Sequence, residues 1–203
     1  MTQPADGAAD VALAIAAATP AALRAAGALF PGVELLALSR GGLRPLEPFR
    51  GPLFARLATL PAGARVGLVV PVAWYGPGAP PVSGEAPAEA LVLPVSDHVN
   101  LELRGPLTGP WPAGVPRSFP PLAGVYQPAG VRARGGPRVY SSGVVVAGVA
   151  DAGRLTPFES SVVRARRIVA VADSLVPPVI VAAYYGLLVA ACGVPLADEH
   201  DEE

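Results

Sequence analysis

The sequence predicts an α/β fold, a mixed β-sheet flanked by helices and buried on both faces. Three observations lead there. Short uncharged runs recur at residues 66–72 (VGLVVPV), 144–149 (VVVAGV), 168–172 (IVAVA) and 187–192 (LLVAAC). Such runs, apolar at every position, suit strands covered on two sides rather than one. Helix starts lie between the last three: Thr156-Pro157-Phe158-Glu159 has Thr at the N-cap, Pro at the first helical position and Glu three residues after the cap, and Pro177-Pro178 opens a second. Strand–helix–strand–helix–strand in that order is the pattern of a layered α/β sheet.

Residues 1–9 and 198–203 are expected to be loose tails on a single domain, 1–203. Asp10 is placed to cap a short alanine-rich helix through Ala18. Thr19-Pro20 restarts a helix to about Phe30, and Pro31-Gly32 ends it. Residues 33–38 (VELLAL) read as a strand. Phe49, Leu53, Leu57 and Leu60 have helical spacing within 48–60, and Pro52 suggests a late start. After the strand at 66–72 comes a Pro/Gly-rich loop, 75–87, then a strand at 89–95 with Asp97-His98 at its end. Residues 102–140 read mostly as loop, with Pro and Gly every few positions. The runs at 66–72, 89–95, 144–149, 168–172 and 187–192 should all be strands of one mixed sheet. Arg164, Arg166 and Arg167 form a basic, solvated helix surface, and Gly186 is placed to stop the last helix.

Composition bounds the function. At 203 residues the chain can bury a substantial core. Its formal net charge of -1 gives no long-range field for capturing nucleic acid, so no nucleic-acid partner is expected. One cysteine, Cys192, and two histidines rule out an internal disulfide framework and a Cys/His zinc site, so no metal is expected. No basic segment opens the chain as a signal peptide would, and the cytoplasm is the expected location. Residues 174–197 carry no charge, follow Arg164–Arg167 and precede an acidic end. That polarity suits a tail anchor, but Pro177-Pro178, Gly186, Gly193 and Pro195 divide the run below the ~20 apolar residues that a spanning helix needs.

Several blocks resemble the trimeric type of purine nucleoside phosphorylase. VVVAGV followed by PFES (157–160) and DSLVPPVIVAAYYGL (173–187) is similar to that family's strand, its Phe-Glu-Thr helix start and its Val-Pro-Glu-Val-Ile-Val-Ala turn and helix. SDHVNL (96–101) resembles its Asp-His-Ile-Asn-Leu. Gly109-Pro110 and PRSFPPLAGVY (116–126) resemble the segment after it. The resemblance implies a nucleoside-phosphorylase-like fold in which Phe158 and Glu159 bind the purine and Ser174 binds phosphate. Asp97, His98 and Asp173 are further candidates. It also implies phosphate as co-substrate if the chain is active, no other cofactor, a purine nucleoside or nucleobase ligand, and a homo-oligomer (a trimer in the family) or a hetero-oligomer with a full-length relative.

Each position also has a plainer role. Glu159 is the N3 residue of a capping box. Phe158 could be core, Ser174 could satisfy a turn, and His98 could be hydrogen-bonded to Asp97 or to backbone. The departures from the family are larger than the matches. The opening strand with its Gly-Ser-Gly-Leu-Gly phosphate loop has no counterpart, nor has the His-Xaa-Tyr-Glu-Gly segment. Val72 takes the place of a phosphate-pocket asparagine, Asp173 that of the methionine under the sugar, and Leu196-Ala197 that of the Ile-Thr-Asn that reads the base. The family's final helix also lies beyond Glu203. Losing one positioned donor typically costs about 10²–10³ in rate. The expectation is therefore a catalytically impaired relative that serves as a nucleoside- or purine-binding or assembly subunit. The alternatives are an active phosphorylase or hydrolase with a rearranged site, and a small tail-anchored membrane protein.

Overall fold

The computed structural model describes residues 11–45, 47–76, 91–102, 105–115, 117–128, 131, 138–140 and 142–196. Asp10, the expected tails, residues 77–87 of the expected loop and residues 89–90 of the expected strand lie outside them. Among the described residues there are eight strands: β1 (Val11–Ala17), β2 (Leu35–Leu38), β3 (Arg65–Trp74), β4 (Leu91–Asn100), β5 (Arg138–Val139), β6 (Val144–Gly148), β7 (Ala170–Ala172) and β8 (Leu188–Pro195). Five helices accompany them: α1 (Pro20–Leu29), α2 (Arg40–Leu43), α3 (Pro52–Leu57), α4 (Pro157–Ala165) and α5 (Val176–Tyr184). All eight strands join one mixed sheet, and the five runs expected to share a sheet do so.

Part of this sheet closes on itself. β3 runs parallel to β8, β8 antiparallel to β4, β4 parallel to β6, β6 parallel to β7, and β7 antiparallel to the end of β3. Closure spares these strands an open edge. The two long strands make it feasible because each changes partner along its length. β3 pairs through 65–72 with β8 and through Ala73-Trp74 with β7. β4 pairs through Leu93-Pro94 with β8, then shifts register between Val95 and Asp97 and continues against β6. The irregularity at Ser96 bends β4 around this corner. A Cβ on Gly143 would sit 2.6 Å from the Ser96 Cβ, so the bend requires a glycine opposite it.

β1 and β2 extend from β3 as an open wing, and here the sequence misled. Residues 11–17 form a strand, not the alanine-rich helix expected there. β1 lies parallel between β2 and β3 and is buried at six of its seven positions. Its alanines meet a packing demand that outweighs helix propensity. Ala14, Gly67 and Ala190 stand side by side across β1, β3 and β8, leaving a shallow trough on one face of the sheet. The ring of Phe30, the C-cap residue of α1, lies on it: a Cβ on Gly67 would come within 2.5 Å of that ring. β1 leads directly into α1. The turn between them is Ala18-Thr19 rather than a glycine loop, and Thr19 Oγ1 accepts from Ala22 N at 3.3 Å.

The other differences are of boundary. The strand expected at 33–38 spans Leu35–Leu38, and the helix expected at 48–60 is the shorter α3, which begins at Pro52 because proline fits the first turn. β4 runs on to Asn100, so Asp97 and His98 lie within it and not at its end. α2 and the two-residue β5 fall in stretches the sequence left as loop. Arg166 caps α4 and Arg167 takes a positive φ of 57°, so these two arginines end the helix while only Arg164 lies on it. The uncharged run at 174–197 divides into α5 and β8, and no helix among the described residues is long and apolar enough to cross a membrane.

Candidate functional site

The parallel strands β4, β6 and β7 end close together. Ligands of α/β sheets bind outside the carboxyl ends of strands, so the groups placed there are the ones to examine. Glu102 follows β4, Ala150 follows β6 and Asp173 follows β7. α2 packs its charged side chains onto this spot. Ser39 Oγ caps the helix by accepting from Gly42 N, and the i, i+4 spacing puts Arg40 and Arg44 on one side. Both guanidinium groups donate to the Ala150 carbonyl, Arg40 Nη2 at 2.7 Å and Arg44 Nη1 at 2.8 Å. Arg40 Nε pairs with Asp173 Oδ2 at 2.9 Å, and Arg44 Nη2 with Glu102 Oε2 at 2.8 Å.

Arg40, Arg44 and Glu102 edge a cleft of about 760 Å³. They supply its polar lining, and Pro45, Pro106 and Pro177 its rigid apolar walls. Its far side is the turn at 105–108, closed by Thr108 Oγ1 donating to Gly105 O at 2.6 Å. Trp111 anchors that turn through Nε1 to Leu107 O at 2.9 Å, and its ring meets Phe49 edge-on at 4.9 Å. Phe49 in turn contacts Phe54 and Tyr184. Its φ of 62° is unusual for an aromatic residue and is maintained by these three ring contacts.

Inside the cleft wall, Glu102 has a side chain only 8% exposed. Its backbone is fixed by Glu102 N to Asn100 Oδ1 at 2.9 Å and Leu101 N to Gly148 O at 2.9 Å. While Oε2 is held by Arg44, Oε1 is buried and accepts no hydrogen bond from the described residues.

The residues singled out in the sequence lie in three places. Asp173 reaches the cleft through Arg40, and Ser174, the next residue, is 2% exposed beneath the start of α5. That helix start has no side-chain cap, and Pro177 and Pro178 contribute no N–H. Val72, fully buried, packs where a Cβ on Gly193 would come within 2.6 Å of it.

Asp97 and His98 form a second group. Asp97 Oδ1 accepts from His98 N at 2.8 Å, and His98 Nδ1 shares a 2.8 Å hydrogen bond with Tyr126 Oη, directed by the imidazole tautomer. Burial lowers the His98 pKa against the opposing pull of Asp97. Burial, with Asp97 second, raises that of Tyr126, so the pair is neutral near pH 7.

Phe158 and Glu159 stand on the outside, at the start of α4. Phe158 is 76% exposed. Glu159 closes the capping box: its Oε2 accepts from Thr156 N and Thr156 Oγ1, each at 2.8 Å, while Thr156 Oγ1 accepts from Glu159 N at 3.2 Å. The backbone bond, then the side-chain bond, hold the Glu159 pKa below its ordinary value. A depressed carboxylate pKa adds stability above the ordinary value, and that contribution is lost as pH falls through the folded-state value. Glu159→Gln should therefore melt slightly below the wild type at neutral pH, with the gap closing in acid. A gap that widens in acid would contradict the assignment. Thr156→Ala, which removes the N-cap itself, should cost about 0.5–2 kcal/mol.

Arg40, Arg44 and Glu102 were not anticipated from the sequence. A signal was present: in a chain with 15% charged residues, charges placed directly after apolar strands merit attention. Among the described residues no group of His, Cys, Asp and Glu side chains could hold a metal ion.

No protein-family model matches the sequence, and no curated protein matches it. Among solved structures, the chain is similar to Schistosoma mansoni purine nucleoside phosphorylase complexed with a monocyclic inhibitor, with a TM-score of 0.46 and 16% identity over 65% of this chain and 51% of that one. It is similar to a second complex of that enzyme at the same TM-score and identity, over 68% of this chain and 53% of that one. The chain thus spans about half the length of these structures, and at this identity the likeness is one of fold.

Proposed function

We propose that the chain binds a purine nucleoside or nucleobase in the cleft lined by α2, Glu102, the turn at 105–109 and Pro177, and that it does not carry out phosphorolysis. In that reaction phosphate displaces the base from C1′ of a ribose, so the enzyme must hold an anion beside the sugar. The nucleoside part of the reading rests on the sequence blocks SDHVNL, PFES and DSLVPPVIVAAYYGL. One observation carries the rest: the cleft's arginines are already matched, Arg40 by Asp173 and Arg44 by Glu102, with the Ala150 carbonyl between them. A phosphate would have to displace carboxylates or sit beside them, at a helix start from which two N–H groups are missing. A neutral heterocycle faces no such conflict and suits walls made of proline.

Association belongs to the same reading. Phe158 and Val162, one helical turn apart on α4, are 76% and 38% exposed, and Val99, Leu101 and Val145 add exposed apolar surface around the β4–β6 pair. Such surface favours a homo-oligomer or assembly with a longer relative.

The test is calorimetry with inosine, guanosine and hypoxanthine, beside chromatography of free base with and without phosphate, on protein whose sedimentation has been measured. Micromolar binding of at least one ligand by an oligomer, without base release, is expected. Phosphate-dependent release would establish a phosphorylase, release without phosphate a hydrolase, and failure to bind any of the three would remove the purine reading.

A further inference from the structure

We infer that Glu102 is the residue through which this cleft reads its ligand, by accepting a ring N–H on Oε1. The inference rests on the cleft reading above and specifies its chemistry. The ligand is a neutral molecule that presents an N–H donor to Glu102.

The two oxygens of Glu102 are in different situations. Oε2 is paired with Arg44, which fixes the side chain and neutralises its charge. Oε1 is shielded from solvent and has no donor among the described residues. A buried acceptor left unpaired is costly, so a donor delivered to it gains more than the same donor would at an exposed carboxylate. Because Arg44 already balances the charge, a neutral donor completes the site, whereas an anion would meet the carboxylate head-on. The last torsion of a glutamate is broad and two-fold, so a small turn of the carboxylate presents Oε1 to the cleft that the residue lines.

A ring suits the site because Pro45, Pro106 and Pro177 give it rigid apolar walls. Glu159 has none of these properties. It lies in solvent at the start of α4, its Oε2 is committed to Thr156, and any ligand there would compete with water.

The experiment compares inosine with 1-methylinosine, in which a methyl group replaces the hydrogen of the ring N–H, by calorimetry on the wild type and on Glu102→Gln. A glutamine can still accept from Arg44 through its carbonyl, but it turns an NH₂ group toward the position of Oε1. The wild type should bind inosine about tenfold or more tightly than 1-methylinosine, and Glu102→Gln should lose that preference through weakened inosine binding. The wild-type comparison stands alone if the variant does not fold. Equal wild-type affinities, or undiminished inosine binding by Glu102→Gln, would overturn the role of Glu102 and leave a purine-binding cleft in place. Failure of the wild type to bind either nucleoside would overturn both.

Discussion

Arg44→Ala should destabilise the protein by about 3 kcal/mol, the lower end of the 3–5 kcal/mol typical when one partner of a buried ion pair is removed. The cost comes mainly from what is left behind. Glu102, 8% exposed on its side chain, would keep a charge with no cation at 2.8 Å, and the Ala150 carbonyl would lose one of its two donors. The lower end applies because Arg44 is itself 26% exposed, so water can enter behind the lost guanidinium. Removing the charge as well should restore much of the loss. Arg44→Ala combined with Glu102→Gln is expected to be more stable than the sum of the two single changes by about 1–2 kcal/mol, within the range seen for contacting pairs. Urea unfolding of the four proteins measures it. Additivity within about 0.5 kcal/mol would mean that the pair is not coupled and that the cleft wall does not depend on it.

What the sequence made legible was the part of the fold set by local rules. The capping box at Thr156–Glu159, the Thr19-Pro20 helix start and the five largely apolar strands follow from hydrogen-bonding and burial requirements that neighbouring residues meet among themselves. β1 was not legible in this way. VALAIAA has the composition of a helix, and it is a strand because Phe30 and the neighbouring strands require small residues there, a demand made by residues far along the chain.

The site divides along the same line. Phe158 and Glu159 were conspicuous because they sit in a motif, yet that motif closes on itself at the surface. Arg40, Arg44 and Glu102 come from segments 58 residues or more apart and meet only through the ends of β4 and β6; no window of sequence holds them together. Asp173, weighed as a secondary candidate, is tied to them through its ion pair with Arg40.

Phe30→Ala should cost about 3–5 kcal/mol, the range for deleting a buried phenyl ring. Phe30 is 2% exposed and lies over the trough formed by Ala14, Gly67 and Ala190. Beneath the ring lies Gly67, which has no side chain to fill the gap, and its neighbours across the strands, Ala14 and Ala190, are small. The cavity therefore persists, and its cost adds to the lost transfer energy. Gly67→Ala approaches the same contact from the other side. The new methyl would lie 2.5–2.9 Å from three atoms of a ring that has no free end to swing away, and overpacking of this kind costs about 1–3 kcal/mol. Together the two changes should partly compensate, since the methyl fills a little of the space the ring leaves. The double variant should be more stable than the sum of the singles predicts. If instead Gly67→Ala is neutral alone and Phe30→Ala costs less than about 1.5 kcal/mol, the ring does not occupy the trough, and packing against α1 is not the reason β1 is a strand.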